Sequence, residues 1–220
     1  MTAARCRRAW AIGLLSVVGL AAAGAAAACP PAVAAEGQQV SARFESGRSV
    51  TYRRHGVFVE ATWKDGDRRH VARRWFGLVD RDHFIAAPDD SGTYHRTVLA
   101  GDPARALVPA PGRVVQLAGT QEVLRLARLV PLDLSSAQVV GRFALEISIE
   151  TGPATVFEVG GCRYEGFLVG STIRAPQAGW QQVSRLSFVP GLGLAIASTV
   201  REGRGDGMTE KQDRVLEVLP

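Results

Sequence analysis

One thiol and a group of imidazoles are the side chains of this sequence with most chemistry to offer. Cys162 stands between Gly160-Gly161 and Arg163. A cysteine attacks as its thiolate, which a neighbouring cation favours, but the reaction also needs a base within hydrogen-bond reach. The four histidines, His55, His70, His83 and His95, all lie far upstream, among Asp80, Asp82, Asp89 and Asp90. Imidazole and carboxylate are the ligands of Zn or Cu sites, which makes His70, His83 and His95 the candidate metal ligands. No His-x-His, His-x3-His or Cys-x2-Cys spacing presents two ligands locally, so only the fold could assemble such a site. The plainer expectation is a small buried thiol at Cys162 and solvent-facing histidines on strand edges. Asp89-Asp90 precedes Ser91-Gly92 and reads as a turn, as does Arg204-Gly205-Asp206 in a glycine-rich stretch. The sequence holds no nucleophile elbow, phosphate loop or dinucleotide fingerprint, and no cofactor is expected.

The elements that must position these residues repeat with period two. Phe143, Leu145, Ile147 and Ile149 alternate with Arg142, Glu146, Ser148 and Glu150, the pattern of a strand with one buried and one wet face. Val40–Phe44, Val50–Arg54, Val57–Trp63, Arg68–Trp75, His83–Ala87 and Thr93–Leu99 read as strands in the first half. Lys64-Asp65-Gly66-Asp67 is a hairpin turn, because Asp-Gly tolerates positive φ. A proline-rich loop over 101–112 divides the chain. Residues 120–129 fit either a helix capped by Thr120 or a strand. Thr155–Val159, Tyr164–Ile173, Gln181–Val189, Leu194–Arg201 and Arg214–Leu219 complete the set, with Gly160-Gly161 a tight break. The expected fold is all-β with at most one short helix, an antiparallel meander curled into a half-barrel or sandwich.

The N-terminus reads as an export signal. Arg5, Arg7 and Arg8 precede an apolar run over Ala9–Ala28, and no acidic residue appears before Glu36. Ala32 and Ala34 form an Ala-x-Ala site, with a cut after Ala34 or, through Val33 and Ala35, one residue later. Residues 1–35 are thus the leader, and 36–220 a single β-rich domain released to the periplasm or the exterior. Arg7-Arg8 also fits twin-arginine export, so the route stays open. Cys29 after Ala26-Ala27-Ala28 approximates a lipoprotein box lacking its leucine; lipidation there would bring the protein to a membrane, which it otherwise meets only transiently. A cut at Ala34 or Ala35 removes Cys6 and Cys29, leaving Cys162 without a disulfide partner.

Charge adds little. The leader holds three of the 26 Lys and Arg, and the remaining 23 face 21 Asp and Glu, a balance that gives no case for nucleic acid. The stretch Arg43–Arg81 is richer in cations, with ten Lys and Arg against five acids. Its pairs Arg53-Arg54, Arg68-Arg69 and Arg73-Arg74 would suit an anionic envelope ligand or serve as a solvated face.

From Val156 to Val200 a further pattern appears: a strand, Val159-Gly160-Gly161-Cys162-Arg163-Tyr164, a long strand, then Phe188-Val189-Pro190-Gly191-Leu192-Gly193-Leu194. It resembles the C-terminal half of uncharacterised exported β-proteins of Gram-negative bacteria. The resemblance implies a curved sheet similar to the lipoprotein-carrier half-barrels and carries no activity. Gly161-Cys162-Arg163 resembles the nucleophile region of L,D-transpeptidases only in part, since their Ser-His-Gly before the Cys is absent and Arg163 is adjacent rather than two residues on. The function expected is a non-catalytic envelope protein that binds an apolar, lipid-like ligand in a sheet concavity. The alternatives are a cell-wall enzyme using Cys162 and a structural or assembly protein of the envelope. Oligomeric state is not legible.

Overall fold

The computed structural model describes Cys29, residues 37–127, Leu134 and residues 137–219. The leader and its Ala-x-Ala site therefore lie outside the described residues, apart from Cys29. Twelve strands run in chain order: β1 (Gln39–Phe44), β2 (Ser49–His55), β3 (Phe58–Asp65), β4 (Arg68–Trp75), β5 (Val79–Ala86), β6 (Gly92–Leu99), β7 (Val114–Leu126), β8 (Gln138–Val159), β9 (Cys162–Ala175), β10 (Trp180–Val189), β11 (Leu194–Arg204) and β12 (Gly207–Leu219). Each pairs antiparallel with the next, and β1 pairs with β12, with Ala42 opposite Val218, so the meander closes into a barrel. The all-β antiparallel reading stands, and the sheet curls further than a half-barrel. Closure leaves no edge strand among the described residues, although the ends of β8 and β12 extend beyond their β9 and β1 partners.

The alternation read at Phe143–Ile149 is the rule on most strands. Leu145, Ile147 and Ile149 are buried, while Ala144, Glu146, Ser148 and Glu150 are exposed. This strand is longer than its two sequence segments suggested. It runs through Gly152-Pro153, where the register against β9 slips between Thr151 and Ala154, and an irregular point is where a strand tolerates proline. The ambiguous stretch 120–129 is strand as far as Leu126. The one short helix, α1 (Pro103–Ala106), instead sits inside the proline-rich loop, where Asp102 accepts from the Arg105 N–H at 3.2 Å.

Outward faces carry cross-strand ion pairs. Arg43 meets Glu217 across the β1–β12 seam at 2.9 Å, Arg73 meets Glu60 at 2.9 Å, and Arg142 meets Glu122 at 2.6 Å. Each joins residues directly opposite in the register. Such exposed pairs add a few tenths to ~1 kcal/mol each. Within the arginine-rich stretch, Arg73 points out to Glu60 while Arg74 points inward to Asp80.

One end of the barrel is plugged. The β4–β5 turn, Trp75-Phe76-Gly77-Leu78, has Phe76 at φ 50° and Gly77 at φ 81°, with the Leu78 N–H donating to the Trp75 carbonyl at 2.9 Å. Two successive positive φ angles make a tight hairpin turn, normally given to Asn or Gly. Phe76 is partly buried and belongs to the same hydrophobic cluster as Val57, Leu78 and Leu107. Across the barrel mouth this turn meets the β10–β11 turn: a Cβ on Gly77 would stand 2.2 Å from the Gly193 carbonyl oxygen. Leu192 in that second turn is fully buried, and Leu107 after α1 nearly so.

The strand β8 tests this architecture through two neighbouring positions. Ile147→Asp places a carboxylate in the packed interior, where burial of Ile is worth about 1.5–3 kcal/mol, and is expected to unfold or insolubilise the protein. Ser148→Asp on the wet face should change stability by about 0.5 kcal/mol. Chemical denaturation of both variants checks the contrast; equal damage would contradict a strand with one wet face.

Candidate binding lumen

Inward-facing side chains of nearly every strand surround a partly open cavity of about 290 Å³. One part of the wall is apolar: Phe44, Val50, Trp63, Leu145, Ile147, Ile173 and Trp180. Polar groups are set into it. Ser171 and Ser184, opposite one another on β9 and β10, share a hydrogen bond of 2.6 Å. Thr97 and Gln121, opposite on β6 and β7, add further hydrogen-bonding groups.

An ion pair also faces this space. Arg74 Nε donates to Asp80 Oδ1 at 2.5 Å. The register slips between Arg73 and Arg74, so that Arg74 pairs with Asp80 and Arg73 with Asp82. That bulge leaves Arg81 unpaired in the ladder and brings Asp80 onto the inward face beside Arg74. Arg81 goes to the other side, over the Phe58 ring at 4.8 Å. The Asp80 charge holds the Arg74 guanidinium above its ordinary pKa. Near the mouth opposite the plug, Arg48 bonds Asp213 at 2.9 Å and lies over the Phe44 ring at 4.8 Å. These cations are thus already matched by carboxylates.

Three of the four histidines form a group beside Trp63, one of the residues lining the cavity. His83 on β5 stands directly opposite His95 on β6, and His70 on β4 opposite Ile85, one step along. His70 Nδ1 and His83 Nε2 are 3.2 Å apart, the His83 and His95 ring centroids 6.0 Å apart, and Trp63 stacks on His70 at 4.8 Å. The result is an aromatic row across four strands. Each of the three histidines is partly buried rather than fully solvent-facing. Among the described residues no group of three or more His, Cys, Asp or Glu is placed to hold a metal ion. His55 lies apart, at the end of β2.

Burial disfavours the charged form of all three. It lowers the His70 and His95 pKa values and brings His83 to about 4, against the partial restoring influence of Asp80 on His83 and His95. The row is therefore neutral near pH 7, where it offers ring faces and one donor and one acceptor per ring.

Cys162 departs from the sequence reading altogether. It is bonded to Cys29, with Cα atoms 5.5 Å apart. In the full chain Cys29 is thus the partner of Cys162, a pairing that the sequence reading set aside by placing the export cut after Ala34 or Ala35. A sulfur in a disulfide is not a thiolate, so in this state Cys162 is no nucleophile. Asp89 instead accepts from Ser91 in the turn before β6, as its sequence suggested.

No protein family and no curated protein matches the chain. Among solved structures, a similar chain is the hypothetical lipoprotein YmcC from Escherichia coli (K12). It is 10% identical, with 83% of this chain and 84% of that one covered and a TM-score of 0.41.

Buried neutral histidines give a signed pH dependence. Between pH 6.5 and about 4 the unfolded chain binds a proton that folded His83 refuses, so stability falls as pH is lowered through that window and this contribution levels off below it. The loss from His83 is on the order of 2–3 kcal/mol. Urea unfolding at pH 7.5 and pH 5 should show a clear drop for the native chain and a smaller one for His83→Gln. Equal drops would contradict the assignment.

Proposed function

We propose that this protein is a non-catalytic binding protein of the bacterial envelope, and that its barrel lumen holds one small molecule. The observation that carries the reading is the lumen itself: a plugged, partly open cavity in which an aromatic and aliphatic wall stands beside hydrogen-bonding groups. Ligand sites are typically built this way, mostly apolar with a few placed polar groups. At about 290 Å³ the cavity lies at the lower end of the size range of such sites, ~300–1,000 Å³. It suits a short acyl or ring-bearing moiety with a hydrogen-bonding head, and is small for a two-chain lipid. With Arg74 and Arg48 already paired, a strongly anionic ligand would have to displace Asp80 or Asp213, so a neutral or weakly charged head fits better.

Export is supported by the cationic start and apolar run of the sequence, and by a disulfide, which persists in oxidising compartments. The cell-wall enzyme reading rested on Cys162 and loses its nucleophile to the disulfide.

The test uses the tryptophans. Trp63 and Trp180 both line the cavity, so their emission should respond to a bound probe. Titration with the uncharged apolar probe N-phenyl-1-naphthylamine is expected to saturate at one molecule per chain. Ser184→Phe, which puts a ring into the cavity, should weaken binding about tenfold or more while the far-ultraviolet dichroism stays native. Binding that does not saturate, or that Ser184→Phe leaves unchanged, would overturn the proposal.

A further inference from the structure

The Cys29–Cys162 bond bears on which N-terminal segment the mature chain keeps. Cys162 opens β9, directly after the Gly160-Gly161 turn, and its side chain is buried among Val40, Val159, Tyr164 and Leu192. Cys29 lies ten residues before Gln39, the first residue of β1. The bond thus ties the segment ahead of β1 to the core beside the barrel's plugged end. It spans 133 residues of sequence.

From this pairing we infer that the mature protein retains Cys29, that the leader is cut at or before the Ala28–Cys29 bond, and that Cys29 carries no lipid. A cut after Ala34 or Ala35 would discard Cys29 and leave Cys162 with no partner. The sequence supplies what the earlier cut needs. Ala26 and Ala28 give the small residues of an Ala-x-Ala site ending at residue 28. A leader of that length falls within the usual 15–30 residues, which a cut after Ala34 exceeds. The lipoprotein reading of Cys29 is excluded by valence: acylation begins with a thioether on Sγ, and a sulfur bonded to carbon on both sides cannot also bond Cys162.

The reaction balances with one co-reactant. Two thiols become one disulfide by thiol–disulfide exchange with an oxidising disulfide, whose two sulfurs take up the two electrons and two protons and leave as thiols. Cytosolic conditions oppose this step and exported compartments favour it, so the bond forms after the leader has brought the chain across the membrane.

The experiment is an intact-mass measurement on the full chain, expressed with its own leader in a Gram-negative host and recovered from the envelope fraction. Samples are treated with iodoacetamide before and after reduction. The expected result is a chain beginning at Cys29 or upstream, unlabelled before reduction and doubly labelled after it if Cys6 has been removed. Leader-processed Cys29→Ser should carry one label without reduction and unfold at a lower temperature than the native chain. A chain beginning at Ala35 or Glu36, an acylated N-terminal cysteine, or a chain with both thiols labelled before reduction would each overturn the inference.

Discussion

Pairing between the first and last strands is the constraint on which the rest of the structure depends. With β1 joined to β12, every inward side chain faces a common interior, and the curved sheet becomes a container. The seam is held by few groups. Ser41 to Arg43 pair with Glu217 to Leu219, Phe44 is shifted to Val215, and the Arg43–Glu217 ion pair lies outside. Inside it, Val40, Ala42, Phe44, Val215 and Val218 are all buried in one cluster with residues of β2, β3 and β9. Apolar burial at the seam is worth far more than its exposed ion pair, so the two ends of the chain meet because their inward residues share a core.

Closure also sets the geometry of the lumen. A twelve-stranded barrel has more interior than small side chains alone would fill. This one spends part of that interior on a plug made by two opposed turns and the loop after α1. The remainder is lined by rings and by polar pairs that satisfy one another. That division explains the positive φ at Phe76 and the absence of a side chain at Gly77: the turn must bend tightly and approach Gly193 at the same time. It also explains neutral histidines, since a charged row beside Trp63 would be poorly solvated.

Much of the fold was legible because most strands follow one alternation. The Phe143–Ile149 pattern, the Asp65-Gly66 turn and the Gly160-Gly161 break all correspond to observed features. Residues 120–126 were ambiguous for a physical reason. Their register slips between Val123 and Leu124, and Leu124 and Leu126 pack with Phe84, Tyr94 and Ala137 in a separate small cluster, so apolar residues occupy both faces and the period of two is lost. The histidine row was hidden because its spacing is set by hairpin registers, which place His83 opposite His95 only once the turn at 87–91 is known. The disulfide was missed for a different reason: a plausible cleavage motif at Ala32–Ala34 removed one partner before any pairing was considered. Burial pattern can be read from local sequence, whereas contacts between distant segments depend on closure.

Amide hydrogen exchange at the seam tests the account most directly. In a closed barrel the seam-facing amides of β1 and β12 are hydrogen-bonded across the seam and protected to the level of central strands such as β8. The account predicts slow exchange at the seam-facing amides of residues 41–43 and 217–219, lost together with the rest of the sheet on global unfolding. Rapid exchange at both sets of amides while β8 stays protected would show an open sheet, and with it no enclosed lumen to bind a ligand.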